Sequence, residues 1–371
     1  MKIGLDGIIL QSPVAGSHRY FEQLLAGLSE LDVHNAYEIF ANARMMRERG
    51  MPRQANLHYR DVQTPRWMPN ALRQQFYRDW HARGELDLLH SAVFVPPLGY
   101  ARPSVATIFD LTFERFPETM TRVGRMWWKF FAWHGITRAT RIITLSESTR
   151  RDLHTCLNVP AEKIRVIYPY ARALFAPQPN ALATRARYPL PARYLLFVGT
   201  LEPRKNIELL IRVFARARQI ANVPHRLVLV GQRGWFAQNI FRMIQELELN
   251  DQVIVLGYVP DDDLPAIYSG ADLFVYLSRY EGFGLPVLEA MACGAPVLVS
   301  DSSALPEAVG DAGICVALDD PNIIANEIAQ LLGDPARRAA LSERGLKRAL
   351  TFSMENSIRE TLQVYDDAAK N

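Results

Sequence analysis

The sequence predicts an α/β fold built from two Rossmann-like, doubly wound parallel units. Short apolar runs alternate with longer amphipathic segments along the whole chain, the pattern of strands joined by crossover helices. The length of 371 residues suits about two domains, each with its own core. Between the halves the pattern breaks at Y-P-Y-A-R-A-L-F-A-P-Q-P-N, which carries three prolines, and then restarts cleanly.

In the first half, Lys2–Leu5, Glu38–Ala41, Leu86–His90, Val105–Phe109 and Arg141–Leu145 read as strands. Tyr20–Glu30, Asn70–Ala82, Arg122–Arg138 and Glu147–Leu157 read as helices. In the second half the expected strands are Tyr194–Val198, Arg226–Val230, Val253–Leu256, Leu273–Tyr276, Val297–Val299 and Gly313–Val316, with a helix over Ile207–Arg218. A last helix near Ser353–Ala368 follows the second sheet and is expected to pack back on the first domain. The domain reading is therefore 1–172, a linker over 173–192, a second domain over 193–352, and a returning helix over 353–371.

Composition narrows the classes. Apolar residues make up 49% and charged residues 22%, which describes a globular chain and not a disordered one. The N-terminus M-K-I-G-L-D-G turns polar at Gln11, so no signal peptide is expected, and no apolar run reaches the ~18 residues of a membrane span. Cys156, Cys293 and Cys315 are widely spaced and read as reduced cysteines of a cytoplasmic protein. The net charge of +3 hides an asymmetry: residues 1–180 hold 23 Lys or Arg against 16 Asp or Glu, and the rest hold 19 against 23. Such a chain can turn its N-terminal half to an anionic surface, though an ordinary solvated excess explains the numbers as well.

Ser278–Pro296, S-R-Y-E-G-F-G-L-P-V-L-E-A-M-A-C-G-A-P, sets Glu281 and Glu289 around a bend with Gly282 and Gly284. Pro286 suits the first turn of a helix whose free amides favour an anion, and two carboxylates beside an anion fit hydroxyl-rich rings joined to phosphates. The plainer alternative is a capped turn with both glutamates in water. Gly199–Asn206, G-T-L-E-P-R-K-N, follows a buried-type strand and places a guanidinium fork, Arg204, next to a point charge, Lys205, a pair suited to phosphate oxygens. Both loops begin at carboxyl ends of strands, where doubly wound sheets bind their ligands.

These segments, with L-V-G-Q-R-G-W, L-G-Y-V-P-D-D-D-L and S-A-L-P-E-A-V-G-D-A, resemble the family 4 retaining glycosyltransferases of GT-B fold. L-L-H-S-A-V-F-V-P-P, T-I-F-D-L and L-S-E-S-T-R-R-D-L extend the resemblance into the first half. The family implies two domains facing across a cleft and a nucleotide-sugar donor held mainly by the second. It implies that Arg204 and Lys205 hold the donor pyrophosphate, that Glu289 binds the ribose and that Glu281 faces the sugar. Gly282, Phe283, Gly284 and Leu285 would lend backbone contacts, Gly257, Tyr258 and Val259 would lie against the base, and Gly16 and Gly199 would line the donor. Such enzymes generally need no metal, and the sequence has no metal-ligand spacing. Phe109 stands where the family usually has a histidine before Asp110, which leaves Asp110 and His18 as candidates there, Asp110 as acceptor contact, base or structural cap, and His18 also as an ordinary surface residue.

The expected activity is transfer of a hexose to a hydroxyl of a polysaccharide or lipid-linked glycan. The G-T-L-E-P-R-K-N form resembles polysaccharide mannosyltransferases and makes GDP-mannose the first donor expectation, with UDP-sugars, a sugar-nucleotide epimerase and a non-catalytic relative as alternatives. The aromatic and basic stretches Arg66–Arg83 and Arg122–Arg138 either pack on the N-terminal sheet or lie in a membrane interface, which would put the protein on the inner face of the membrane. They carry no nucleic-acid fold signature.

Overall fold

The computed structural model describes residues 1–11, 16–41, 52, 54–62, 86–92, 96, 100–119, 122–178, 184, 187–234 and 237–370. The chain forms two compact units, Met1–Pro169 with Ser353–Asn371, and Tyr170–Phe352.

The first unit holds β1 (Lys2–Asp6), β2 (Ala36–Ala41), β3 (Leu57–Asp61), β4 (Leu88–Ser91), β5 (Ser104–Ile108), β6 (Arg141–Thr144) and β7 (Ile164–Val166). All pair in parallel in the order β3-β2-β1-β4-β5-β6-β7. The expected strands recur with ends shifted by one or two residues. The outermost, β3 and β7, were not foreseen, because an edge strand such as L-H-Y-R-D buries little and shows no apolar run. The helices are α1 (Gly16–Leu31), α2 (Thr112–Arg115), α3 (Arg122–Arg138) and α4 (Glu147–Leu157). Ser146 caps α4 by accepting from the Thr149 amide, and Asn158 ends it in the left-handed region. The helix expected over Asn70–Ala82 and the aromatic stretch Arg66–Arg83 lie outside the described residues.

The second unit holds β8 (Tyr194–Val198), β9 (Arg226–Val230), β10 (Val253–Gly257), β11 (Leu273–Tyr276), β12 (Val297–Ser300) and β13 (Ile314–Val316), parallel in the order β10-β9-β8-β11-β12-β13. Its helices are α5 (Ile207–Ala221), α6 (Gln238–Glu246), α7 (Leu264–Ser269), α8 (Leu285–Ala292), α9 (Leu305–Val309), α10 (Pro321–Gly333) and α11 (Pro335–Leu350). Strand Y-L-L-F-V is buried at every position, as a strand covered on both faces must be. Strand order reverses between β8 and β11, so their connections leave in opposite directions and open a crevice at the carboxyl ends. The proline-bearing stretch after Pro169 is tied to this unit: Arg172 pairs with Asp261, Arg187 pairs with Asp263, and the Tyr188 hydroxyl donates to Asp263 at 2.7 Å.

The final helix, α12 (Met354–Ala369), packs on α1, β4, β5 and β6. Gly27 of α1 lets it come close, since a Cβ there would lie 2.4 Å from Ile358 Cγ1. Beneath it, the ring nitrogens of His90 lie 2.7 Å from the Tyr365 hydroxyl and 2.8 Å from Thr107 Oγ1, with the Tyr20 hydroxyl 3.4 Å from Thr107. Burial pushes His90 down to about 3, so the ring is neutral at physiological pH.

Candidate active site

The site begins with two adjacent loops. After β8 the chain passes through a single 3₁₀ turn, Pro203–Lys205, and Asn206 at φ 55° redirects it into α5. After β11 it runs through Ser278–Glu281 to Gly284, which opens α8. The Arg279 amide donates to the Arg204 carbonyl at 2.9 Å, and Arg204 Nη1 donates to the Tyr280 carbonyl at 2.7 Å. One backbone bond and one guanidinium bond thus stitch the two loops together.

Between them lies a buried ionic cluster. Lys205 Nζ donates to Glu281 Oε1 at 2.6 Å and to the Tyr276 hydroxyl at 2.7 Å. The Arg204 guanidinium bridges two carboxylates, Glu202 at 2.8 Å and Glu281 at 3.2 Å. Ser278 Oγ donates to Glu281 at 2.5 Å, and the Glu281 amide donates to Ser303 Oγ at 2.7 Å. Glu202, Lys205 and Glu281 are each less than 9% exposed, a depth at which charges persist only when paired. Burial by itself pushes the Glu281 carboxyl up, but Lys205 and Arg204 more than offset it and hold the group at about 2. Burial, with the neighbouring Arg204, lowers the Lys205 ammonium, and Glu281 and Glu202 oppose that shift. A recess of about 240 Å³ opens beside this turn, lined among others by Glu202, Pro203, Asn206 and Arg279.

Gly284 sits at φ 101°, where a side chain is strained, and a Cβ there would approach Leu305 Cδ2 to 2.7 Å. Pro286 occupies the first turn of α8 as its fixed φ favours. Phe283 and Leu285 send their side chains inward, Phe283 edge-on to Phe352, so only their backbone can meet a ligand. Glu289 is not in water: it is 1% exposed and accepts from the Tyr268 hydroxyl at 3.0 Å. Gly257 ends β10 and its carbonyl accepts from the Gly231 amide; next to it Tyr258 is half exposed and Val259 is buried. The Gly199 amide donates to the Val230 carbonyl at 2.9 Å.

Arg204, Lys205 and Glu281 are therefore brought into one cluster, whereas Gly16 and Asp110 belong to the other unit. Gly16 opens α1 at the surface. Asp110 accepts from the Thr112 amide at 2.9 Å, just ahead of α2. Phe109 meets Tyr20 edge-on at 5.1 Å, and its carbonyl accepts from Thr149. His18 is no surface loop residue: it lies in α1, fully buried, 3.4 Å from Glu22. Sequence reasoning passed over Glu202, Tyr276, Ser278, Ser303 and Tyr268. Glu202 stands inside G-T-L-E-P-R-K-N, and an acid two residues before a cation was the available signal. Tyr276 ends an apolar strand and reads as core until its hydroxyl is seen against Lys205.

Among the described residues no group of three or more His, Cys, Asp or Glu is placed to hold a metal. Residues 184–348 match the family described as glycosyl transferases group 1, and residues 14–170 match glycosyltransferase family 4. The chain is 34% identical over 290 residues to an O-antigen chain mannosyltransferase B of Escherichia coli, a match covering 77% of this chain and 76% of that one. In fold it is similar to sucrose-phosphate synthase of Thermosynechococcus elongatus, with a TM-score of 0.78 at 23% identity over 99% of this chain and 98% of that one. HepE of Anabaena, solved with UDP-glucose, gives a TM-score of 0.76 at 19% identity over 99% of both chains.

Proposed function

The chain belongs to family 4 of the glycosyltransferases, retaining enzymes of GT-B fold, and on that premise we propose that it moves mannose from GDP-mannose to a hydroxyl of a polysaccharide or lipid-linked glycan. The observation that carries this reading is the buried cluster of Arg204 and Lys205 with Glu202 and Glu281 at the carboxyl ends of β8 and β11. Enzymes of the family generally need no metal, and the nucleotide-sugar is a substrate. Membership of the family sets aside the epimerase expectation.

As the glycosidic bond breaks, its electron pair passes to the leaving phosphate oxygen. Arg204 and Lys205, already fixed by the two carboxylates, would meet the growing charge without reorganising, which lowers the barrier rather than merely strengthening binding. Glu289 would take the ribose and Glu281 the sugar, with backbone groups from Gly282 to Leu285 along the phosphates. Gly199, Gly257, Tyr258 and Val259 would border the nucleoside, and Gly16 and Asp110 would serve from the N-terminal unit, Asp110 toward the acceptor. Attack comes from the face the phosphate leaves, and a phosphate oxygen accepts the acceptor's proton. Isolation of a covalent glycosyl-enzyme would overturn that step. A lipid-linked acceptor would bring the protein to the inner face of the membrane as a peripheral enzyme.

The UDP-glucose in HepE supports a second donor reading. Titration with GDP and UDP separates the two: tighter binding of GDP, with hydrolysis of GDP-mannose above that of UDP-sugars, is expected, and preferential binding of UDP would sink the mannose proposal.

A further inference from the structure

The recess beside the 3₁₀ turn Pro203–Lys205 is bordered by polar side chains that the ionic cluster does not use. Asn206, Glu208, Asn239 and Arg279 line it, with the buried Ile207 and Ile240 as its apolar part. All belong to the second unit, drawn from the start of α5, the start of α6 and the loop after β11. Asn206 is the informative one. Its side chain is buried, with the residue 8% exposed, and makes no hydrogen bond to a described residue. An asparagine just before a helix usually has extended backbone and caps the first turn by accepting from its amides. Here φ 55° and ψ 39° place Asn206 in the left-handed region, and its side chain does not cap α5. Buried amide side chains are as a rule hydrogen-bonded, so Asn206 offers a donor and an acceptor to a group that enters the recess.

The lining identifies the class of ligand. An anion would be drawn to the first-turn amides of α5 and to Arg279, but Glu208 in that turn and Glu202 at the recess oppose it. Glu202 is already committed to Arg204 at 2.8 Å. Glu208 and Arg279 are exposed, carry opposite charges, and have no ion-pair partner among the described residues. Together with the two asparagines they give a rim of balanced charge beside apolar side chains. Hydroxyl groups donate to a carboxylate, accept from a guanidinium and do both with an amide. The C–H faces of a pyranose ring can lie against Ile207 and Ile240. The recess, about 240 Å³, is smaller than the ~300–1,000 Å³ of pockets for drug-sized ligands, and suits a single ring.

We propose that this recess binds one neutral hexose ring of a glycan, outside the donor site. The proposal rests on the reading of a glycan acceptor for its purpose, and it is tested without that reading. Methyl α-mannoside and a linear mannotriose are titrated into the full chain, and binding is read by saturation-transfer NMR. Saturable binding in the millimolar range is expected, unchanged when GDP or UDP is present at saturation. Asn206→Gly keeps the left-handed backbone, which glycine adopts freely, and should weaken binding roughly three- to tenfold with the melting temperature retained. Asn239→Ala, at an exposed position, should weaken it as well. Displacement by GDP or UDP would put the sugar in the donor site, and displacement by inorganic phosphate would make the recess an anion site. Either result would overturn the proposal, as would no binding by the unaltered chain or equal affinity in both variants. Hexose binding without hydrolysis of a nucleotide-sugar would reject the transferase reading and leave this one standing, and hydrolysis without hexose binding would do the reverse.

Discussion

The two units bury polar groups in opposite ways. Beneath α12, His90, Thr107, Tyr20 and Tyr365 form a network that is neutral, because burial keeps the imidazole unprotonated. At the ends of β8 and β11, Glu202, Glu281 and Lys205 are also buried but ionised, each paired with an opposite charge from one another or from the partly exposed Arg204. Desolvation acts on both, and only a nearby opposite charge reverses its effect. The neutral network holds a helix in place. The ionised one fixes two cations between two carboxylates at the strand ends.

Breaking the ionised cluster should have the largest effect. Lys205→Met removes one of the two cations and should slow turnover of the nucleotide-sugar by roughly 10²–10³-fold, measured at saturating donor. If kcat stays unchanged and only KM rises, Lys205 binds the donor without stabilising the transition state. Gly284→Ala should come next: the left-handed backbone and the approach to Leu305 should destabilise the second unit by about 1–3 kcal/mol, read from its denaturant midpoint. An unchanged midpoint would mean that the bend relaxes freely.

A last test sharpens the comparison by pH. His90 falls from 6.5 to about 3 on folding, so the unfolded chain binds the extra proton. Its stability contribution is complete above pH 6.5 and drains between there and pH 3, at no more than ~1.4 kcal/mol per pH unit. Glu281 falls from 4.5 to about 2, so its contribution is complete above 4.5 and drains from there toward pH 2. Amide exchange should therefore show the first unit weakening at a higher pH than the second, and His90→Gln should flatten the upper window alone. Simultaneous weakening of both units in the unaltered chain would contradict this separation.

Which features could be read from the sequence follows from burial. Strands such as Tyr194–Val198 and Leu273–Tyr276 declare themselves because both faces are covered and every residue is apolar, whereas the edge strands Leu57–Asp61 and Ile164–Val166 carry no such run. That Arg204, Lys205 and Glu281 fall at strand ends was legible because charges amid glycines and prolines follow directly on apolar strand runs. The roles of Tyr276 and Ser303 were not, since their partners Lys205 and Glu281 lie 71 and 22 residues away in sequence.

By itself the sequence determined the alternation of strands and helices, the break between two units, the loops that carry the charges and the family. The tertiary structure alone decided that Glu281 neutralises Lys205, that Glu289 is sealed against Tyr268, that His18 is buried, and that α3 keeps one apolar face in water. Local pattern records the period of burial along one element, but the sign of a buried charge's environment is set by whichever distant side chain the fold brings within a few ångströms.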